Sequence, residues 1–263
     1  MRKQLELKLG LVEKRDRMLI KDRSSEREVF EEVFDRSTLM AIYDFRDKGT
    51  ISEIFGVVKA GKEARIYWGK DSEQKELAIK IYLTISAEFK KGMLPYIEGD
   101  PRFAHVRRGT RSLVYVWAQK EFKNLLRAHD VGVRVPKPVA VSKNVLIMEF
   151  IGEEGVSAPL LKEIVPQKPQ EVYRKLLTYV RTLYQEAKLV HGDLSEYNVM
   201  IWENEPVLFD VSQAVLLEHP MANKLLKRDL ENLHRYFEGL GVPVLSQEET
   251  YRWVTSAKSQ RLR

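Results

Sequence analysis

The sequence predicts an α+β chain in two lobes, an antiparallel sheet with one helix followed by a reduced, mainly helical lobe. Three observations carry that reading. Short β-branched runs split by polar turns fill residues 51–84, and two more lie between 134 and 152. From 159 onward the apolar period is that of helices. Around 151–158, "IGEEGVSA", neither period holds, which places the change of lobe there. The expected division is a charged helical arm at 1–34, a first lobe at 35–152 and a second at 153–263.

Taken in order, "DRSTLMAIYDFRDKG" reads as a bounded helix, capped by Asp35 or Ser37 and stopped at Gly49. Val57–Val58, Arg65–Trp68 and Leu77–Leu83 read as strands of a meander, parted at Gly61–Lys62 and at the polar turn 70–75. Residues 84–112 hold Gly92, Pro95, Gly99, Pro101 and Gly109 without a clean period, so a long loop is expected. An amphipathic helix follows at 113–130, ended near Gly132, and "RVPKPVAVSKNVLIMEFIG" supplies two strands around a turn at 142–144. The pattern at 159–190 is helical; a hairpin comes next, then helices at 219–238 and 246–258.

With 44% hydrophobic residues, 263 residues suffice to bury a core. No run approaches the length of a membrane span, no signal-peptide pattern opens the chain, and cysteine is absent; together these lead to the expectation of a cytoplasmic protein. The net charge is +6, and residues 1–23 carry eight Lys or Arg against four Asp or Glu. A second basic cluster, "DPRFAHVRRGTRS", holds Arg102, Arg107, Arg108 and Arg111. Such fields suit a phosphate-rich partner.

The chemistry concentrates in "HGDLSEYNVMIWENEPVLFD", residues 191–210. If Val199–Trp202 pairs with Pro206–Phe209 around a turn at 203–205, Asn198 falls opposite Asp210. Cross-strand Cα atoms are about 4.5–5.5 Å apart, so both side chains could reach one ion. Oxygen ligands without His or Cys specify a hard cation, and Mg²⁺ is typically held by one or two carboxylates plus substrate phosphates. Asp193, in the loop that feeds this site, is placed to act on a phosphate acceptor. Each of these residues alone is ordinary in a turn; the three together at this spacing argue for function. His191 is expected as a core residue that buttresses the loop, because Asp193 already supplies the base.

In "ELAIKIYL" a period of two places Ala78 and Lys80 on one face and Leu77, Ile79 and Ile81 on the other. Trp117, Glu121 and Leu125 share a helical stripe, where a carboxylate is costly unless paired. Lys80 with Glu121 is the economical pair, leaving Lys80 to hold two phosphates; the alternative is a solvated Glu121 at the edge of the stripe. "VVKAGKEARIYWG", with Gly61 flanked by Lys59 and Lys62, would lie over the phosphates, although it is not GxxxxGK[ST]. In "LIMEFIG", Met148 would meet an adenine edge, and backbone groups of Glu149 and Ile151 would bond to it.

Strand lysine, helix glutamate, an HxDxxxxN loop and a later aspartate stand in the order of a protein-kinase-like fold. More narrowly, "GKEARIY", "AIKIY", "KEFKNLLRA", "LIMEFIG", "LVHGDLSEYNVM" and "FDVSQAV" with its following "HP" resemble the Rio family of atypical kinases. The resemblance is to the first subfamily, in its archaeal form, and runs from about residue 35 to 240. HGD stands for HRD, Ser195 for the usual catalytic-loop lysine and DVS for DFG; no APE motif follows. The resemblance implies ATP and Mg²⁺ as ligands, Mn²⁺ being the alternative metal, and a role in maturing the small ribosomal subunit. It also implies serine autophosphorylation, and an ATPase cycle in which Asp210 accepts the phosphoryl group. Carried over by position, Glu63 and Ala64 join the phosphate loop, and Ser195, Glu196 and Met200 join the nucleotide contacts. The usual phosphate loop is nearer "STGKEAN", from which Ala60 and Arg65 differ. The loop at 84–112 matches the family's flexible loop, with Thr110 and Ser112 as candidate phosphosites. The basic arm and loop would dock precursor ribosomal RNA or protein. Two rival readings share these ligands: a small-molecule phosphotransferase, and a ribosome-assembly factor for which the nucleotide is only a switch.

Overall fold

The computed structural model describes residues 35–83, 87–103 and 110–256. The basic arm expected at 1–34 lies outside the described residues, as do Arg107 and Arg108.

Helix α1, Arg36–Asp47, begins at Asp35, whose carboxylate accepts from Thr38 N (2.7 Å) and Thr38 Oγ1 (2.8 Å). That is the capping expected of an Asp with β-region backbone. The helix gives way at Gly49, whose φ of +72° suits glycine. Five antiparallel strands follow the expected meander: β1 (Glu53–Ala60), β2 (Ala64–Lys70), β3 (Glu76–Tyr82), β4 (Pro138–Ser142) and β5 (Val145–Glu149), in the order β1-β2-β3-β5-β4. Ala41, Ile42 and Phe45 of α1 join Tyr67, Leu77, Ile79, Ile81, Val145 and Ile147 in one buried cluster. Helix α1 thus covers the Leu77/Ile79/Ile81 face, each such side chain contributing about 1.5–3 kcal/mol by burial. Lys80 and Ala78 are left on the opposite face. Two short strands, β6 (Gly152–Glu153) and β7 (Val156–Ser157), occupy the stretch expected to change lobe.

The loop expected at 84–112 is in part helical. Helix α2 runs Ala87–Ile97 with Pro95 inside it, and a 3₁₀ turn spans Pro101–Phe103. Gly92 and Pro95 are poor helix residues, but Met93 and Ile97, one turn apart, are both buried, and that packing outweighs the propensity. Helix α3, Thr110–Asp130, starts three residues before the expected 113; Gly132 (φ +79°) ends it as anticipated.

Helix α4 covers only Pro169–Thr182, not the whole of 159–190. Residues 159–161 instead run beside strand β9 (Val199–Trp202), with Leu161 N donating to Val199 O (2.8 Å) and Ile201 N to Pro159 O (2.9 Å). A π turn at Leu183–Ala187 leads into β8, Leu189–Val190. Strand β9 pairs with β10 (Glu205–Leu208), and β11 (Val215–Leu216) pairs with β8. Helices α5 (Ala222–Gly239) and α6 (Gln247–Thr255) close the described chain; Ser246 and Glu249 form a capping box before α6.

The hairpin register is one residue from the expected one. Trp202 pairs with Glu205 and Val199 with Leu208, so the turn is Glu203–Asn204 alone. Both turn residues have positive φ (52° and 64°), the geometry that matches the twist of a two-residue hairpin.

The described chain forms two compact units. One holds the described residues of Met1–Gly92, Val106–Gln119 and Pro138–Ser157; the other holds those of Met93–His105, Lys120–Lys137 and Ala158–Arg263. The first contains the sheet, and the second the hairpin with α4, α5 and α6. No helix among the described residues is long and apolar enough to cross a membrane.

Candidate active site

In the first unit, β3 sets the order of the site. Ala78 is the cross-strand partner of Met148, and Lys80 of Leu146. Lys80 is 7% exposed, its ammonium 5.0 Å from the centre of the Tyr82 ring two residues on. Ala78, Met148 and Ile151 are buried, and Glu149 is half-buried. The β3–β5 ladder is followed by Phe150 N donating to Glu76 O (3.2 Å), so Ile151 lies just past the last paired strand. Lys59, Gly61, Lys62 and Glu63 are exposed at the turn between β1 and β2. There Gly61 N donates to Ala64 O (3.0 Å) and Leu83 N to Glu63 O (3.0 Å).

In the second unit, Asp193, Asn198 and Asp210 come together by two routes. Asn198 Nδ2 donates to Asp193 O (2.8 Å) and to Asp193 Oδ2 (3.1 Å). Phe209 N donates to Asn198 O (3.1 Å), which sets Asp210 beside Asn198. The shifted register therefore opposes Asn198 to Phe209, not Asp210. Asp210 then turns out of the strand with left-handed backbone (φ 56°, ψ 54°), and its Oδ1 accepts from Ser212 Oγ (3.0 Å). Because the Asn198 amide nitrogen is spent on Asp193, its Oδ1 is left as the acceptor atom. An amide oxygen and a carboxylate are hard-oxygen ligands of the kind that Mg²⁺ takes together with phosphate and water.

Asp193 is part-exposed. Burial pushes its carboxyl up; Arg228 opposes that, Asp210 adds to it, and the Asn198 bond opposes it. Arg228 NH2 lies 4.0 Å from Asp193 Oδ1 and also donates to Gly192 O. Gln213 Nε2 donates to Asp193 Oδ2 (3.3 Å). Gly192 itself has φ +81°, and a Cβ there would lie 3.0 Å from Gln213 O, so the HGD form requires its glycine. Ser195, Glu196 and Met200 flank Asn198 and are all half-buried.

His191 is 2% exposed, and burial pushes it down to about 4. Its Nε2 lies 3.3 Å from Phe209 O and donates to it in the neutral tautomer that fits. It is a core residue, as expected. Its folded pKa lies below the ordinary 6.5, so between pH 6.5 and 4 the unfolded chain binds more protons. Stability from this group is present above 6.5 and is lost as the pH falls toward 4, by about 1.4 kcal/mol per unit at most. His191→Gln keeps a donor for Phe209 O. The urea midpoint of wild type minus that of the variant is expected to shrink as the pH drops from 6.5 to 4. A constant difference would contradict the assignment.

Glu121 is 1% exposed, which excludes the solvated alternative. Ser112 is half-buried in the first turn of α3; the side chain of Thr110 lies outside the described residues.

Sequence reasoning missed four residues of the second unit. Asp229 of α5 is 1% exposed, and its two oxygens accept from Gly192 N (2.7 Å) and Leu194 N (2.9 Å). Arg228 stands beside it. Lys120 and Asn124 of α3, both 0% exposed, donate to carbonyls of the turn after Asp210. The signal was available: Asp229 lies in the stripe Leu225, Leu226, Leu230 and Leu233, as Glu121 lies in its own.

A RIO domain model matches residues 65–250. The chain is 39% identical over 244 residues to the RIO-type serine/threonine-protein kinase Rio1 of Haloferax volcanii, covering 93% of this chain and 83% of that one. It is 40% identical over 238 residues to the serine/threonine-protein kinase RIO1 of Caenorhabditis elegans, and 36% over 244 to that of Homo sapiens. It spans less than half of these two relatives, 46% and 43% of their lengths. In fold it is similar to a Rio2 kinase–ADP/Mg²⁺–phosphoaspartate complex from Chaetomium thermophilum, with a TM-score of 0.61 at 20% identity, over 81% of this chain and 65% of that one. Sequence match and fold agree, and the chain belongs to the RIO family of atypical serine/threonine protein kinases, among its Rio1 members.

Proposed function

We propose that the chain binds ATP with Mg²⁺ and moves the γ-phosphoryl group, either to a protein serine, its own included, or to the carboxylate of Asp210. The observation that carries the reading is the cluster in the second unit, where Asn198 is bonded to Asp193 and set beside Asp210. Asn198 Oδ1 and Asp210 would hold the metal, whose chemistry when bound is neutralisation of charge on the phosphates. Asp193 orients the attacking group, and Gln213 and Asn198 fix its carboxylate. Lys80 holds the α- and β-phosphates. The Lys59–Ala64 turn covers them; Ala78, Met148, Glu149 and Ile151 receive the adenine. Ser195, Glu196 and Met200 are further nucleotide-contacting residues. Positioning and electrostatics supply most of the rate. Lys80→Met is expected to lower kcat/KM for ATP by about 10²-fold, measured as phosphate release.

The acceptor is proposed to lie on precursors of the small ribosomal subunit, approached through the basic arm and loop in the cytoplasm. Thr110 and Ser112 are the candidate self-modified hydroxyls, and Mn²⁺ is the alternative metal. Phosphate release and protein phosphorylation, compared with and without those precursors, test the reading. Stoichiometric transfer to protein serine supports the kinase. Hydrolysis with an acyl-phosphate on the chain supports the Asp210 cycle, the chemistry named for the Chaetomium thermophilum Rio2 complex. Neither product in the presence of ATP and Mg²⁺ overturns both.

A further inference from the structure

The turn that follows Asp210 is held by side chains that arise about 90 residues earlier. Asn124 Nδ2 donates to Val211 O (2.8 Å) and Ala214 O (3.0 Å), and Lys120 Nζ to Ser212 O (2.8 Å) and Ala214 O. Three of the four carbonyls between 211 and 214 are thus engaged by two side chains with no solvent exposure. Placing an ammonium there is costly unless such acceptors meet it.

The amide of Asn124 has an orientation to choose, and Arg102 chooses it. Arg102 NH1 donates to Asn124 Oδ1 (2.8 Å), which turns Nδ2 toward the carbonyls. Arg102 is itself clamped by Asp100, with Nε to Oδ1 at 2.9 Å and NH2 to Oδ2 at 2.6 Å; Asp100 is 2% exposed. The same segment is tied a second time by His219 Nε2, 2.9 Å from Glu98 O.

We propose that Arg102, Asn124 and Lys120 are positioning residues for Asp210, so that the segment 98–103 and the metal-holding carboxylate are set together. The geometry makes a chain of single links: Asp100 to Arg102, Arg102 to Asn124, Asn124 to the turn. Loss of Arg102 frees the amide to turn over, presenting oxygen to the Val211 and Ala214 carbonyls. The turn then loosens, and Asp210 loses the left-handed backbone that aims it. This inference rests on the proposed role of Asp210 as a metal ligand.

The test uses the full chain and two readouts. The first is calorimetric binding of ADP with and without Mg²⁺. Arg102→Ala is expected to weaken the Mg²⁺-dependent part by about tenfold and to leave metal-free ADP binding unchanged. Arg102→Lys, which retains a donor for Asn124 Oδ1, restores part of it. Asn124→Ala acts in the same direction, and the double variant is no worse than Asn124→Ala alone, since the links are in series. The second readout is hydrogen exchange of the 211–216 amides in the ligand-free protein, expected to be faster in Arg102→Ala. Unchanged exchange there overturns the proposal, as does additive loss in the double variant or equal loss of metal-free binding. If Asp210→Ala leaves the Mg²⁺-dependent part intact while exchange responds to Arg102, the positioning stands and the metal reading of Asp210 fails.

Discussion

Asp210→Ala is expected to lower Mg²⁺-dependent ATP hydrolysis by on the order of 10³-fold. The argument is one of ligand count. Asn198 has a single amide oxygen to offer, and its nitrogen donates to Asp193. Asp210 is then the one carboxylate assigned to the ion, and without it phosphates and water must hold the metal alone. Asp210→Asn separates two roles. It keeps the shape and one oxygen, so some Mg²⁺-dependent binding of ADP should survive, while no acyl-phosphate can form at this position. Hydroxylamine-labile phosphate in wild type and none in Asp210→Asn would place the acceptor at Asp210. Wild-type phosphate release by Asp210→Ala would remove the residue from the mechanism.

The second large effect is expected at a residue assigned no contact with nucleotide. Asp229 accepts two backbone N–H groups from the loop that carries Asp193, and burial pushes its carboxyl up to about 7 while those N–H groups and Arg228 hold it down. An amide at 229 offers one oxygen and turns an NH₂ group against the other donor. One buried N–H is left unsatisfied, at a cost of about 1–3 kcal/mol in unfolding free energy. Asp229→Asn should therefore lower the urea midpoint and reduce kcat by about 10²-fold, with the KM for ATP little changed. The loop it holds carries Asp193, proposed to orient the acceptor, while the contacts assigned to adenine and the phosphate loop lie in the first unit. A wild-type kcat would show that the Asp193 loop keeps its form without Asp229. The group also has a sign in pH. Its folded pKa lies above the ordinary 3.8, so the folded state binds more protons between 3.8 and 7. Its contribution to stability falls as the pH rises through that window, and the slope disappears in Asp229→Asn.

Much of the frame was legible because its causes are local. Asp35 and Gly49 bound α1 by their own backbone preferences. The period of two in "ELAIKIYL" sorted Lys80 from Leu77, Ile79 and Ile81, and the same logic made Glu121 a buried carboxylate. The register of the hairpin escaped because Glu203 takes a left-handed conformation, which nothing in its residue type demands. Helix α2 escaped because Gly92 and Pro95 argue against it, and only the burial of Met93 and Ile97 argues for it. Residues 159–161 escaped because their hydrogen bonds go to β9, some 40 residues away.

By itself the sequence determined which residue types are present, in what order, and, helix α2 and residues 159–161 apart, which stretches are strand or helix. These follow from caps, periods and turn preferences, which act over a few residues. Tertiary structure alone decided what holds the functional groups in place: Asp229 on the loop of Asp193, and Lys120 and Asn124 on the turn after Asp210. The reason is that a buried backbone N–H or carbonyl left outside a helix or strand must still find a partner. Which distant side chain supplies it depends on where the folded chain places that side chain, and neither spacing nor composition records this.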